Sequence, residues 1–360
     1  MHDLELDAQH ACPALYMIRG SSSLLDDGSS LRFSVIIANY NYGRFITDAI
    51  RSALDQDWPS LEVIVVDDGS TDDSRTIISS YGSRVQAIFQ ANQGQRCANN
   101  AGFAMASGDV VVFLDADDVL APDFASCVAA AWRSGLSKVQ VQMMRVGADR
   151  QPLGIVVPAI ASAPSAAQVR NWMMTTGEYP TPPGSGNAYA RDFLDKFFPI
   201  GADCDSSTDS TCLAYAPLLG EVETVLRPLA EYRIHGTNDS SLAAAADRFG
   251  REIARAYLRH QNAESVCRKL GLTAPEAGCL RRGRHLLQLR AASLRSAPQA
   301  HPAVAGGWWA TLADAIRSLL PYGIEGFSKR LLVAGWSAAT LLAPQPLARI
   351  LIARRFARSG

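Results

Sequence analysis

The sequence predicts an α/β fold: a mostly parallel sheet with helices on both faces, followed by a helical carboxyl-terminal extension. Three observations predict it. Short β-branched apolar runs alternate with stretches of helical spacing from residue 33 to about residue 133. Turn-forming residues separate each run from the next. Two acidic clusters, Asp67-Asp68 and Asp115-Ala116-Asp117-Asp118, stand directly behind apolar runs. A parallel sheet binds its ligands at the carboxyl ends of its strands, which is where such clusters belong.

Phe33 to Ala38 is the first strand, and Tyr40-Asn41-Tyr42-Gly43 turns the chain. Arg44 to Leu54 carries apolar residues at helical spacing, and Pro59 ends that unit. Leu61 to Val66 is the second strand and Thr71 to Ser80 the second helix. Val85 to Phe89 makes a third, weaker strand, and Gly94 to Ala106 a helix that Ser107-Gly108 stops. Asp109 to Leu114 follows as a buried strand. Pro122 suits the first turn of the next helix, which runs to about Arg133. Beyond Gly135 the pattern loosens. Val139 to Val146 reads as a strand, Tyr179 to Gly186 as a loop, and Arg191 to Phe198 as a short helix. Asp209 to Leu219 reads as a helix and Val222 to Leu226 as a strand. From about Ser241 the chain is rich in Ala, Arg and Leu and mostly helical. The expected division is a flexible segment 1–30, an α/β domain 31–240 and a helical region 241–360.

Composition narrows the partners. The 360 residues carry a net charge of -1 and 48% apolar side chains, enough for a large core and poorly suited to nucleic acid. Seven scattered cysteines without a Cys-x-x-Cys pair fit reduced thiols in the cytoplasm. Met1 to Ser30 lacks the basic start and apolar stretch of a signal peptide. Crowded carboxylates at a strand end repel one another unless a cation binds between them. Hard oxygen ligands suit Mg²⁺ or Mn²⁺, and a diphosphate is the natural companion of such an ion.

The motifs Ser34-Val35-Ile36-Ile37-Ala38-Asn39-Tyr40-Asn41, Val65-Val66-Asp67-Asp68-Gly69-Ser70, Asn92-Gln93-Gly94 and Phe113-Leu114-Asp115-Ala116-Asp117-Asp118 closely resemble the family 2 glycosyltransferases in residue, order and spacing. The resemblance spans about Phe33 to Ser240, a normal domain size. It implies a GT-A fold, a nucleotide-diphosphosugar donor with UDP favoured, a divalent metal and inversion at the anomeric carbon. It further implies that Asp117 binds the metal and that Asp115 and Ala116 meet the ribose or the metal's water shell. For Asp118 a cap on the following helix competes with a ligand role. Asp68 would take a hydrogen bond from the base, and Ala38 and Tyr40 would line the base pocket, with simple packing an alternative for Tyr40. Asp67 reads as structural. Asn92 and Gly94 precede a helix whose free N–H groups face either phosphate or a plain cap.

On the acceptor side, the resemblance implies an aspartate base at the start of a helix. Asp209 fits, preceded by Thr208 where the family usually has Glu, with Asp203 and Asp205 as nearby rivals. His235, in Tyr232-Arg233-Ile234-His235, stands where relatives bring a ligand to metal or diphosphate, and a structural histidine is the competing reading. Arg233 pairs either with phosphate or with a buried carboxylate. Gly184-Ser185-Gly186-Asn187 resembles the segment lining the acceptor side, and Trp172 is either a sugar platform or a core residue.

Leu331 to Ala343 is apolar but shorter than a spanning helix. Lys329, Arg330, Arg349, Arg354, Arg355 and Arg358 surround it, with no acid after Glu325. Trp308, Trp309 and Trp336 suit a headgroup layer. The region reads either as peripheral contact with an anionic membrane or as a helical subdomain or homo-oligomer contact. The sequence thus points to an inverting glycosyltransferase acting on a glycan or lipid-linked acceptor in cell-envelope or exopolysaccharide synthesis, in the cytoplasm or at the inner face of the cell membrane. A sugar-nucleotidyltransferase and a non-catalytic sugar-nucleotide-binding scaffold are the rival readings.

Overall fold

The computed structural model describes residues 31–236, 247–323 and 326–356. The expected flexible segment 1–30, the boundary at residue 240, Glu325 and Arg358 lie outside the described residues. The chain runs β1 (Phe33–Asn39), α1 (Ile46–Leu54), β2 (Leu61–Asp68), α2 (Ser74–Ser79), β3 (Gln86–Gln90), α3 (Gln95–Met105), β4 (Val110–Asp115), β5 (Val119–Leu120) and α4 (Phe124–Ala131). It continues through β6 (Leu136–Gly147), β7 (Pro152–Val157), α5 (Ala166–Thr176), β8 (Asn187–Ala190), α6 (Arg191–Leu194), α7 (Thr208–Leu219) and β9 (Glu221–Ile234). Five helices follow: α8 (Arg248–Lys269), α9 (Arg284–Ser296), α10 (Trp308–Arg317), α11 (Phe327–Leu342) and α12 (Gln345–Phe356).

One sheet takes the order β3-β2-β1-β4-β8-β6-β9-β5, with β7 paired to β6. The first four strands in that order are parallel, as are β6 and β9. β8 runs antiparallel to both β4 and β6, and β5 and β7 also pair antiparallel. The parallel half was legible because β1, β2 and β4 are buried on both faces and therefore read as continuous apolar runs. Alternate residues feed two cores. Val35, Ile37, Val63, Val65, Val112 and Leu114 pack with α1 and α4, while Ile36, Ile64, Val66, Val111 and Phe113 pack with α3 and α7. Burying each such side chain stabilises by roughly 1.5–3 kcal/mol.

β9 is longer than the stretch 222–226 because the chain runs on through Pro228. The register against β6 shifts there, between Val225 and Pro228, which tolerates the missing donor. This length matters, since it carries Tyr232 to His235 alongside the end of β6 and beside β5, which directly follows Asp118.

The carboxyl-terminal helices have a separate core around Phe249, Ile253, Leu286, Leu289, Ile352 and Phe356. Helix α8 joins it to the sheet unit: Ala263 and Cys267 enter the second sheet core. Trp336 packs against the helical core and donates to the Leu351 carbonyl at 3.3 Å, so of the three tryptophans it is not one that faces a headgroup layer. Trp172 packs against the sheet core, not in a sugar site. The six described cysteines are free thiols.

Gly102 lets α3 approach β1 closely. A Cβ there would lie 2.4 Å from Ile36 Cγ2 and 3.3 Å from Val66 Cγ2. Helix propensity alone favours Gly102→Ala by about 1 kcal/mol, but overpacking this buried contact costs about 1–3 kcal/mol. We predict a net loss of stability for Gly102→Ala in urea unfolding, whereas an unchanged or raised midpoint would show that α3 can shift freely on the sheet.

Candidate functional site

Parallel register fixes where the acidic residues meet. Ala38 lies opposite Val66 on one side and Asp115 on the other, and Asn39 lies opposite Asp67. Both acidic clusters therefore reach the same sheet edge, flanking β1. Asp67 is buried and serves the turn: Asn39 Nδ2 donates to it at 2.9 Å and the Ser70 amide at 3.2 Å. Asp68 holds the loop ahead of α3. Its Oδ1 accepts from Gln90 Nε2 at 2.7 Å and the Gln93 amide at 2.9 Å, and its Oδ2 accepts from the Gly94 amide at 2.7 Å. The Gly94 amide is thus engaged by a carboxylate, and Asn92 is exposed. Gly69, at φ +77°, is required here, because a Cβ would sit 2.7 Å from the Asn92 amide nitrogen. Ala38 is half-buried and Tyr40 is exposed at the rim.

The second cluster is organised by Asp118. This side chain is fully buried. Ser185 Oγ donates to its Oδ2 at 2.6 Å and the Arg233 amide to its Oδ1 at 3.0 Å. The same Ser185 hydroxyl accepts from the Asp115 amide at 3.1 Å. Asp118 does not cap α4, whose first turn is preceded by Asp123. The Ala116 methyl packs into the core beneath the cluster. Asp117 Oδ2 lies 2.8 Å from His235 Nε2, and the His235 ring rests 4.6 Å from the Phe45 ring with Tyr42 edge-on at 5.8 Å. Arg233 turns away: it donates to Asp48 at 2.8 Å and to the Ala148 carbonyl at 3.2 Å, so it takes the carboxylate partner.

Asp209 opens α7 and accepts from the Ser207 hydroxyl. Gly184, in the turn 184–186, shows how close it comes to the cluster. A Cβ on Gly184 would lie 3.2 Å from Asp209 Cβ and 3.5 Å from both Asp209 Oδ2 and Asp115 Oδ2. The two carboxylates flank one glycine. Asp205, a rival, is buried and locked by Arg255 at 2.8 Å and Arg259 at 2.5 Å. Asp203 is exposed. Of the three, Asp209 is the one beside Asp115.

Burial pushes the Asp115 carboxyl well above the ordinary range, and the charges of Asp117 and Asp209 push it further. Burial does the same to Asp118, followed by Asp117 and Asp115. A cation among these groups would relieve both effects. Among the described residues no group of three or more His, Cys, Asp or Glu side chains could hold a metal alone. Asp117 and His235 supply two donors. Mg²⁺-type ions commonly bind through one or two carboxylates and complete their shell with water and substrate phosphate, so the donor set fits an ion that arrives with a diphosphate.

Two features escaped the sequence. Ser185 joins Asp115 to Asp118, and its neighbours gave no hint of that link. Lys138 is fully buried in β6, donating to Asn187 Oδ1 at 2.7 Å and Thr181 Oγ1 at 2.9 Å. Burial drives its ammonium well below the ordinary range. Asn187 in turn donates to the carbonyls of Pro183 and Gly184, steadying the turn beside Asp209. A lysine bordering the apolar run at Val139 was the available signal.

Residues 34–198 match the family model for glycosyl transferase family 2. An uncharacterized glycosyltransferase of Nostoc sp. is 39% identical over 223 residues, covering 60% of this chain and 69% of that protein. The chondroitin synthase of Escherichia coli is 35% identical over 121 residues, covering 33% of this chain but only 18% of the synthase. Among solved structures, Staphylococcus aureus TarS 1-349 in complex with UDP-GlcNAc aligns over 89% of this chain and 92% of that one, with TM-score 0.51 and 17% identity. That likeness concerns the fold.

Ser185→Ala would leave a buried carboxylate short of a donor. We predict a loss of about 1–3 kcal/mol in chemical denaturation, against less than about 0.5 kcal/mol for Ser206→Ala on the exposed neighbouring loop. Equal effects would show that the Ser185 link carries no weight.

Proposed function

The chain belongs to glycosyl transferase family 2, and from that premise we propose that it is an inverting, metal-dependent enzyme using a nucleotide-diphosphosugar, with UDP-sugars favoured. The acceptor is a hydroxyl of a glycan or lipid-linked glycan in cell-envelope or exopolysaccharide synthesis. The observation that carries this reading is the proximity of Asp115 and Asp209, whose carboxylate oxygens both come within 3.5 Å of where a Cβ on Gly184 would lie. A donor-side carboxylate and a candidate base thus stand beside the same glycine.

In this reading the nucleotide base lies toward Ala38, Tyr40 and Asp68, with Asn92 and Gly94 at the helix start toward the phosphates. Asp115 and Ala116 meet the ribose side. Asp117 and His235 would hold Mg²⁺ or Mn²⁺. Such an ion offsets negative charge on the leaving phosphate, a contribution of several kcal/mol. Asp209 accepts the proton of the acceptor hydroxyl as that oxygen attacks the anomeric carbon in line, and the nucleoside diphosphate departs. The Ser207 hydroxyl orients Asp209 from behind. Asp118 and Ser185 hold the two halves of the site together.

In this reading the enzyme acts in the cytoplasm or at the inner face of the cell membrane. No helix among the described residues is long and apolar enough to cross a bilayer. The support comes from exposed apolar side chains on α10 and α11: Trp309, Ile316, Phe327, Leu331, Leu332 and Leu342. Lys329, Arg349 and Arg354 are exposed nearby in sequence, and residues 326–356 contain no carboxylate. Two copies meeting through such a surface would bring like charges together, whereas an anionic bilayer would neutralise them.

We predict that Asp209→Asn slows sugar transfer by about 10²–10⁴-fold while titration shows UDP binding retained. Equal rates for the two proteins would remove Asp209 as the base. Donor turnover is measured across a panel of nucleotide-sugars with Mn²⁺. A scaffold would bind without turnover, and a nucleotidyltransferase would form the donor from sugar phosphate. For the membrane contact, we predict that Leu331→Ser/Leu332→Ser loses most flotation with phosphatidylglycerol vesicles and that neither protein floats with phosphatidylcholine alone. Concentration-dependent dimers that the same variant abolishes would instead assign this surface to self-association.

A further inference from the structure

The carboxyl-terminal helices contain a cavity of about 230 Å³ between the turn at Gly278 to Arg282 and the end of α10. Its charged lining is Arg281, Arg282, Arg317 and Asp314, with Ser318 and Tyr322 completing the wall. Asp314 is buried and saturated. Arg281 donates to it from Nε at 2.9 Å and from a terminal nitrogen at 3.1 Å. Arg290, wholly buried, donates at 2.9 Å, and so does Arg317. One carboxylate thus serves three guanidinium groups.

Among the described residues that line the cavity, no second carboxylate offsets this. Arg282 pairs with Glu276 at 2.5 Å, and its guanidinium lies 5.4 Å from the Tyr322 ring centroid. The carbonyls at the end of α10, which would supply partial negative charge, are taken up by Arg284, which donates to Leu320 at 3.0 Å and to Ser318 at 3.4 Å. Among the cavity's described lining residues three arginines stand against one aspartate. Each guanidinium carries five N–H donors, more than the bonds to Asp314 and Glu276 require. Those bonds also fix the orientation of the forks, which lowers the ordering cost when an anion enters.

We propose that this cavity binds the phosphate of a phosphomonoester or phosphodiester. Planar forks held around a polar hollow match the several oxygens of phosphate better than a single carboxylate. Two sources share that chemistry. One is the headgroup of a lipid, because Ile316 and Leu320 are exposed on either side of Arg317 in the sequence. The other is a free phosphate-bearing solute. The side chains of Arg281 and Arg317 are 45% and 61% exposed, so binding is salt-sensitive. The site is separate from the carboxylate cluster, and the proposal does not depend on sugar transfer.

The full chain is titrated by calorimetry with inorganic phosphate, and separately with dihexanoyl phosphatidic acid below its micellar concentration so that no bilayer forms. Arg317→Gln removes an exposed arm. Arg281→Gln/Arg317→Gln removes two, with thermal unfolding followed to check the fold. Arg84→Gln, an exposed arginine on the sheet unit, is the control. We expect binding to weaken at least about tenfold in the double variant, less in the single variant and not in the control. Loss of affinity for both probes assigns the site to the phosphate group itself. Binding and loss with the lipid alone assigns it to a lipid headgroup. Absence of binding by either probe, or equal affinity in wild type and Arg317→Gln, overturns the proposal.

Discussion

Asp118 is the constraint on which the site depends. A carboxylate with no solvent contact must find donors within the protein, because an unsatisfied buried charge costs more than the fold can easily spare. Asp118 finds one on Ser185 and one on the backbone of Arg233. Each belongs to a different segment of the chain. The turn at 184–186, the end of β9 and the start of β5 are thereby fixed around one side chain. Asp117 and His235 are brought to 2.8 Å as a consequence, and Asp115 is brought beside Gly184. The cluster is tied together by hydrogen bonds to Asp118 from two separate segments. Four aspartates near one sheet edge leave a strong demand for a cation, and that demand is the physical basis for a metal–diphosphate reading.

The two halves of the sheet contribute differently. β1, β2 and β4 are buried on both faces and give a rigid edge, so Asp68 and Asp115 cannot drift apart without shifting a whole strand. The second half is mixed in direction and carries register shifts. It positions the turn 184–186, Asn187 and, at the end of β9, His235.

How much was legible follows from how each segment signals itself. β1, β2 and β4 announced themselves by continuous β-branched runs, and their acidic ends gave the site before any coordinates. β8 did not, because Asn187-Ala188-Tyr189-Ala190 is short and mixes polar and small residues. Helix α5 carried a readable signal that went unused: Ser165 and Gln168 form a capping box, and Gly177 closes the helix at φ +68°. β9 was cut short at Pro228, since a proline inside a paired strand argues against strand unless a register shift accommodates it. Asp209 is singled out because the resemblance implies an aspartate at that helix start, and only coordinates show that Asp205 is held by arginines some 50 residues away in sequence. The Asp118–Ser185 bond spans 67 residues, and no local pattern encodes it.

The central proposal is that Asp117 and His235 would form half of a cation site whose other half is a nucleotide diphosphate. Its most direct test is linkage: titrate UDP into the full chain with and without Mn²⁺, and Mn²⁺ with and without UDP, following free Mn²⁺ by electron paramagnetic resonance. The account predicts weak binding of each alone and mutual tightening by the same factor when both are present, as reciprocity requires. UDP affinity that is indifferent to Mn²⁺ would contradict it.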